Sequence, residues 1–194
     1  IDFTLSNCSN SGIYDVALLT QYLPFSLNEH IGSGKPWDFD RRDSGIALLQ
    51  PHEKPDGQVW YTGTADAVKQ NIEYIKRKNP EYVIILSGDH IYKMNYNWMI
   101  EDHKKNNAEL TIAVKTVPWE ETNRFGIFEV DDTKQILGFE EKPKEAKSNL
   151  ASMGIYVFDT NILIDYLEKM CDDELDFGKH IIPAMLKEDR KVYV

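Results

Sequence analysis

The sequence is short of cysteine, of basic charge and of long apolar runs, and each shortage removes a class of answer. Two cysteines occur in 194 residues, Cys8 and Cys171. They are too far apart in sequence to form a metal-type cluster, and they read as free thiols of a reducing cytosol. The five histidines, His30, His52, His90, His103 and His180, show no HExxH or similar metal spacing. They read as structural or surface groups, with His90 set apart by its adjacency to Asp89. Lys and Arg total 22 against 32 Asp and Glu, a formal net charge of −10. That balance argues against nucleic acid as the main partner, because a phosphate backbone needs a cationic surface. It leaves room for a small phosphorylated substrate, which a few basic side chains in one cleft can hold. No apolar run approaches the roughly 20 residues that span a bilayer. Nor does a basic segment followed by an apolar one open the chain. A soluble cytoplasmic protein without a membrane partner is the expectation. No internal repeat and no low-complexity linker divides the chain.

What is present suits a single globular domain. The sequence is 42% hydrophobic and 11% aromatic, and its length fits one core, which serves roughly 100–200 residues. The chain opens at Ile1 in structured-looking sequence and closes on "KVYV", an alternating run that reads as a strand entering further structure. It therefore reads as an interior piece of a longer polypeptide.

Asp15–Thr20 and Ile46–Gln50 are short apolar runs suited to buried strands. Thr64–Lys78 predicts a helix with Thr64 as N-cap, Asp66 in the first turn, and Ala65, Val68, Ile72 and Ile75 on one face. Lys76, Arg77 and Lys78 complement its end, and Pro80 blocks continuation. "YVIILSGDH" begins with a continuous apolar run, the pattern of a strand covered on both faces. Asn95 caps a second predicted helix through about Lys105, with Tyr96, Met99, Ile100 and His103 on one face. Glu109–Val114 alternates and reads as the next strand. This alternation of strand and helix predicts right-handed crossovers in a three-layer α/β fold. "FGIFEV" and "QILGFEE", joined by "DDTK", predict an antiparallel hairpin at the sheet edge. Ile155–Phe158 predicts a strand, Thr160 the cap of a helix to about Met170, and Phe177–Leu186 a last helix. Ile31–Gly45 is a loop long enough to suggest a binding role.

Three segments could carry chemistry. Gly88 and Asp89 stand at the carboxyl end of the apolar strand, where open α/β sheets bind ligands. A carboxylate there suits a hard cation such as Mg²⁺ bridging phosphates, or else it caps the following turn. In "WYTGTADA", Gly63 before a helix start lets a ligand approach the backbone; the alternative is an ordinary helix start after an aromatic core pair. In "FEEKP", an acid beside Lys142 could divide a sugar phosphate between them, the acid taking hydroxyls and the ammonium the phosphate. The alternative is a solvated charged loop.

In chain order the sequence carries "IDFTLSNCSNSGI", "LTQY", "WYTGTADA", "LSGDHIYKM", "RFGIF", "FEEKP", "SNLASMGIYVF" and "DFGKHIIP". Together these resemble the bacterial ADP-glucose pyrophosphorylases, within the sugar nucleotidyltransferases, and the match covers nearly the whole chain. The resemblance implies a Rossmann-like three-layer α/β domain with a mixed, mostly parallel central sheet. It implies adenylyl transfer from ATP to glucose 1-phosphate, with Mg²⁺ as cofactor, in glycogen synthesis. Asp89 corresponds to the metal-binding catalytic aspartate, and Lys142 is the second catalytic group. Tyr61, Gly126, Glu141, Lys142 and Ser152 correspond to glucose 1-phosphate contacts, and Gly63, Thr64 and Ala65 to the nucleotide-base segment. Gln21 and Trp60 are assigned to the nucleotide side, and Asp176 lies in a matched motif.

The resemblance also places a glycine-rich phosphate-binding segment before Ile1, and a second metal-binding aspartate and a left-handed β-helix after Val194. Residues 1–194 are then part of a catalytic domain, expected to be inactive alone and to belong to a homotetramer when longer. Three other readings stay open: a UTP- or dTTP-using transferase, a non-catalytic regulatory paralogue, and a plain sugar-phosphate binding module.

Overall fold

The computed structural model describes residues 1–22, 24–51, 60–171 and 176–194, so His52 lies outside the described residues. The elements in chain order are α1 (Asp2–Asn10), β1 (Asp15–Leu19), α2 (Pro24–Ile31), β2 (Gly45–Leu49), α3 (Thr64–Gln70), α4 (Ile72–Lys78), β3 (Tyr82–Ile85) and α5 (Tyr96–Lys105). They continue with β4 (Leu110–Thr116), β5 (Gly126–Val130), β6 (Ile136–Glu141), β7 (Leu150–Asp159), α6 (Thr160–Lys169), α7 (Ile182–Lys187) and β8 (Val192–Tyr193).

β1 and β2 form a two-stranded parallel sheet. The larger sheet has the order β6-β5-β7-β4-β8, with β3 also paired to β7. It is mixed. β3, β4 and β5 all run antiparallel to β7, and β8 runs parallel to β4. These four strands therefore share a direction, which β6 and β7 oppose. The crossover from β3 to β4 links parallel strands as expected, but β7 lies between them.

Helices cover both faces, as the α/β reading requires. On one side α6, α7 and α3 pack Leu163, Leu167, Met185 and Val68 against Leu110, Ile112, Phe128 and Phe158. On the other, α5 sets Met99 against Ala113, Ile155 and Val157. Leu110, Ile112, Phe128, Ile155, Val157 and Phe158 have no exposed surface. β4 is consequently buried from Leu110 to Ala113 rather than alternating. Even Thr111 is covered, its hydroxyl hydrogen-bonded to His103 Nδ1 at 2.8 Å.

The structure moves several sequence assignments. The predicted helix 64–78 is two helices broken at Asn71. Its N-cap is Gly63, not Thr64, and Asp66 reaches back to accept from Thr62 N–H at 2.9 Å. Asp159, not Thr160, caps α6 by accepting from Asn161 and Ile162 N–H. At α6 the carboxylate supplies the acceptor that free first-turn amides need, whereas Asp66 ties down the turn ahead of α3. β7 is ten residues long because it is paired along its length, with β5 at its start and β3 at its end. The apolar run of β3, read as covered on both faces, is only half-buried at every residue. α1 and α2 were not foreseen.

Other assignments agree. Asn95 caps α5 by accepting from Asn97 N–H at 3.0 Å. The hairpin β5–β6 lies at the sheet edge, its turn held by Asp131, which accepts from Thr133 and Gln135 N–H. Cys8 is buried and Cys171 exposed, both free. Burial pushes the Cys8 thiol up to about 12, so it is an inert core group. The long loop after α2 is pinned by Trp37 and Phe39, both buried. Gly34 sits there with φ 75°, where a Cβ would lie 2.7 Å from that of Phe39. No helix among the described residues is long and apolar enough to cross a membrane.

Candidate active site

Two groups of polar side chains collect around strand ends, and most of the residues singled out from the sequence fall in one or the other. The first is built on the turn that enters α3. Gln21, just past β1, accepts from Tyr61 N–H through Oε1 at 2.8 Å. The Tyr61 hydroxyl takes a hydrogen bond from Asn71 Nδ2 at 3.1 Å, and burial holds its phenol above the ordinary value. Trp60 and Tyr22 stack with centroids 4.8 Å apart and planes at 17°, and both remain exposed. Asp66 is 1% exposed and accepts from Thr62 N–H, Thr62 Oγ1 and Gln70 Nε2. It thereby fixes Gly63, Thr64 and Ala65 at the helix start. Ala65 is buried and faces the core, whereas Thr64 is exposed.

The second group lies where β6 ends, beside the turn before α7. Gly126 on β5 is paired in register with Glu141 on β6. A Cβ at Gly126 would fall 2.7 Å from Phe139 Cε2 and 2.9 Å from Glu141 Oε2. Only glycine lets the Phe139 ring and the Glu141 carboxylate lie over this strand. Asp176 caps the following turn, accepting from Lys179 N–H at 2.9 Å. A Cβ placed at Gly178 would touch Asp176 Oδ1 at 3.4 Å and approach Glu141 Oε2 at 3.8 Å. Two carboxylates thus flank one small residue. Lys142 follows with φ 50°, a left-handed conformation uncommon outside glycine, and its Nζ stands 4.0 Å from Glu141 Oε1. Such backbone conformations concentrate at functional sites.

Tyr156 belongs to this second group and was passed over in the sequence as part of an apolar strand. Burial raises its phenol pKa; the nearby Asp176 and Glu141 carboxylates push the same way, and a hydrogen bond with Ser152 opposes them. Its ring packs on Phe177, centroids 5.5 Å apart. Its signal in the sequence was weak: a single hydroxyl-bearing ring at the fourth position after Ser152 on one strand.

The two groups meet at Thr64, whose Oγ1 accepts from Phe177 N–H at 3.5 Å, next to Asp176. The structure sets Tyr61 in the first group, with Gln21 and Asn71, although the resemblance assigned it to the sugar phosphate. Glu141, Ser152, Gly126, Lys142 and Asp176 gather in the second.

Asp89 lies past the end of β3, exposed and lining a large cavity that Asn71 of the first group also lines. Ser87 Oγ donates to its Oδ1. That bond, and the residue's own N–H, hold the carboxyl below its ordinary value, so it is an anion at neutral pH. The described residues contain no cluster of three acidic or histidine side chains that would enclose a metal. One ionised, solvent-facing carboxylate still fits Mg²⁺, which keeps waters and binds through one or two carboxylates plus substrate phosphates.

Known proteins resemble this chain along its whole length. The family model described as "Nucleotidyl transferase" matches residues 1–194. A glucose-1-phosphate adenylyltransferase of Clostridium acetobutylicum is 57% identical over 196 residues, covering 100% of this chain and 52% of its own. Proteins of the same name from Lachnospira eligens and Acetivibrio thermocellus are each 55% identical, with 100% of this chain and 46% of theirs covered. The chain spans about half the length of the curated relatives it matches. It belongs to the nucleotidyl transferase family.

Proposed function

We propose that this chain is the central part of an enzyme that transfers the adenylyl group of ATP to glucose 1-phosphate, giving ADP-glucose and pyrophosphate. The relatives that carry the name glucose-1-phosphate adenylyltransferase align with all of the chain. The observation that carries the reading within the molecule is the convergence of Glu141, Asp176, Ser152 and Tyr156 beside Lys142. Two carboxylates and two hydroxyls suit the several hydroxyls of a sugar, and an adjacent exposed ammonium suits its phosphate.

In the proposed reaction a phosphate oxygen of glucose 1-phosphate attacks the α-phosphorus of ATP. A new P–O bond forms there as the bond to the β-phosphate bridging oxygen breaks, and pyrophosphate leaves with that electron pair. The nucleophile is already an anion at neutral pH, so the chain need not supply a strong base. Its residues bind and orient. Glu141 and Asp176 accept from sugar hydroxyls, Lys142 pairs with the sugar phosphate, and the turn Gly63–Ala65 receives the base. Mg²⁺ held by Asp89 would supply neutralisation of phosphate charge.

The same reading implies a cytoplasmic, homotetrameric enzyme of glycogen synthesis, and sedimentation of the longer polypeptide tests the assembly. A panel of ATP, UTP and dTTP with glucose 1-phosphate and Mg²⁺ tests the chemistry on a polypeptide of the relatives' length. ATP should give ADP-glucose at the highest kcat/KM. Preference for UTP or dTTP would change the substrate assignment, and binding without turnover would reduce the protein to a sugar-phosphate module or regulatory paralogue. In the same polypeptide Asp89→Asn should lower kcat by at least about 100-fold with little change in KM for glucose 1-phosphate.

A further inference from the structure

Residues 86–95 run between β3 and α5 and carry Asp89, with no helix or strand of their own. Among the described residues, none of 87–94 takes part in a backbone–backbone hydrogen bond. Side chains of α1 and its C-cap hold this backbone instead. Thr4 Oγ1 donates to Ser87 C=O at 3.0 Å. Asn7 Nδ2 donates to Tyr92 C=O at 3.1 Å, and its Oδ1 accepts from Met94 N–H at 3.2 Å. Ser11 Oγ accepts from Tyr96 N–H at 2.9 Å, where α5 begins.

Thr4, Asn7 and Ser11 follow one another at the three- and four-residue spacing that keeps side chains on one helix face. They are 5%, 4% and 5% exposed. Polar side chains buried at successive turns are costly unless each is paired. Here their hydrogen bonds go to one stretch of chain, the one that carries Asp89. Leu5 and Cys8 of α1 share an apolar cluster with Leu86, Tyr92 and Met94, so the same helix also holds the segment's apolar side chains. The bonds fall on both sides of Asp89 and leave its carboxylate exposed. Ser87, whose C=O Thr4 holds, is also the residue whose hydroxyl donates to Asp89 Oδ1.

We infer that Thr4 and Asn7 are positioning residues for Asp89, and that α1 clamps its loop so that the carboxylate is aimed before nucleotide and metal bind. This rests on the metal reading of Asp89 proposed above. A hydroxyl and an amide suit the task, because they grip backbone groups without setting a second charge beside the carboxylate. A loop ordered in advance loses less conformational freedom when its ligand arrives.

Kinetics of a polypeptide of the relatives' length test the clamp, with Asp89→Asn run beside the variants. Thr4→Val keeps the shape and removes the donor to Ser87. It should lower kcat about 10-fold while KM for glucose 1-phosphate stays within about twofold. Thr4→Ser restores the hydroxyl and should bring kcat back to within about threefold of the unaltered protein. Asn7→Ala should lower kcat likewise. Without Mg²⁺ or substrate it should also speed tryptic cleavage after the exposed Lys93, which lies between the two residues that Asn7 holds, by at least about 10-fold. Full kcat in folded Thr4→Val and Asn7→Ala, beside an inactive Asp89→Asn, would overturn the positioning role alone and leave α1 a packing element. Normal turnover in Asp89→Asn would end the metal reading and the positioning role together. A loss in Thr4→Val that Thr4→Ser does not recover, or that comes with an equal rise in KM for glucose 1-phosphate, would also overturn the positioning role. So would unchanged cleavage after Lys93 in Asn7→Ala.

Discussion

β7 and β3 are neighbours in one sheet, yet they sit in opposite circumstances. β7 has strands on both sides, β4 along one edge and β5 then β3 along the other, and Ile155, Val157 and Phe158 have no exposed surface. Among the described residues β3 pairs with β7 alone, and every one of its residues is half-buried although all four are apolar or aromatic. Hydrophobicity of the strand therefore does not set its burial; the number of neighbours does. The closed region around β4, β5 and β7 carries the carboxylate group near Lys142. The open region around β1 and β3 carries Asp89 and the turn into α3. In the proposed enzyme the first region grips the sugar phosphate and the second meets the nucleotide and metal.

The largest effect expected from this contrast is on stability. Phe158→Ala in the closed region should cost about 3–5 kcal/mol in denaturant unfolding. Ile84→Ala in the open region should cost only about 1–2 kcal/mol, because much of its surface is already wet. Equal costs for the two substitutions in the present chain would erase the distinction.

Next in size is Gly126→Ala, which forces a methyl against Phe139 and Glu141. It should destabilise by about 1–3 kcal/mol and displace the Glu141 carboxylate. Asp66→Ala leaves the Thr62 N–H and Gln70 amide without their acceptor and should cost about 1–3 kcal/mol, loosening the turn at Gly63.

The least perturbing test is of charge. The Asp89 carboxyl is held below its ordinary value by Ser87, so the stabilisation is present above that ordinary value and is lost as pH falls through the lowered one. Ser87→Ala should move the titration of Asp89, followed by its carboxyl carbon resonance, upward toward the ordinary value. An unmoved titration would remove Ser87 as the cause.

Local features were legible in the sequence because their causes are local. Asn95 caps α5, and the Asp131 turn closes the β5–β6 hairpin, through contacts a few residues apart. The apolar faces of α3 and α5 follow from spacing alone. Each cap lies one residue before the threonine expected: at α6 the Asp159 carboxylate takes the free amides of Asn161 and Ile162, whereas Gly63 starts α3 with no side-chain cap. The insertion of β7 between β3 and β4 was not legible, since it depends on pairing between residues far apart in sequence, such as Tyr82 with Asp159 and Leu110 with Phe158. The half-burial of β3 had no local signal either. At the candidate site, Glu141, Lys142 and Asp176 stood out as charges in short motifs. Tyr156 was hidden inside an apolar strand, and its role emerges only when Ser152 and the two carboxylates are seen around it.

Calorimetric titration of glucose 1-phosphate tests the division of labour most directly, in the absence of nucleotide and Mg²⁺. Glu141→Ala and Lys142→Ala should each weaken binding by about 10- to 100-fold, while Asp89→Asn leaves it within about twofold of the unaltered protein. Undiminished binding in Glu141→Ala and Lys142→Ala, or a loss in Asp89→Asn as large as theirs, would contradict the assignment of the sugar phosphate to the closed region.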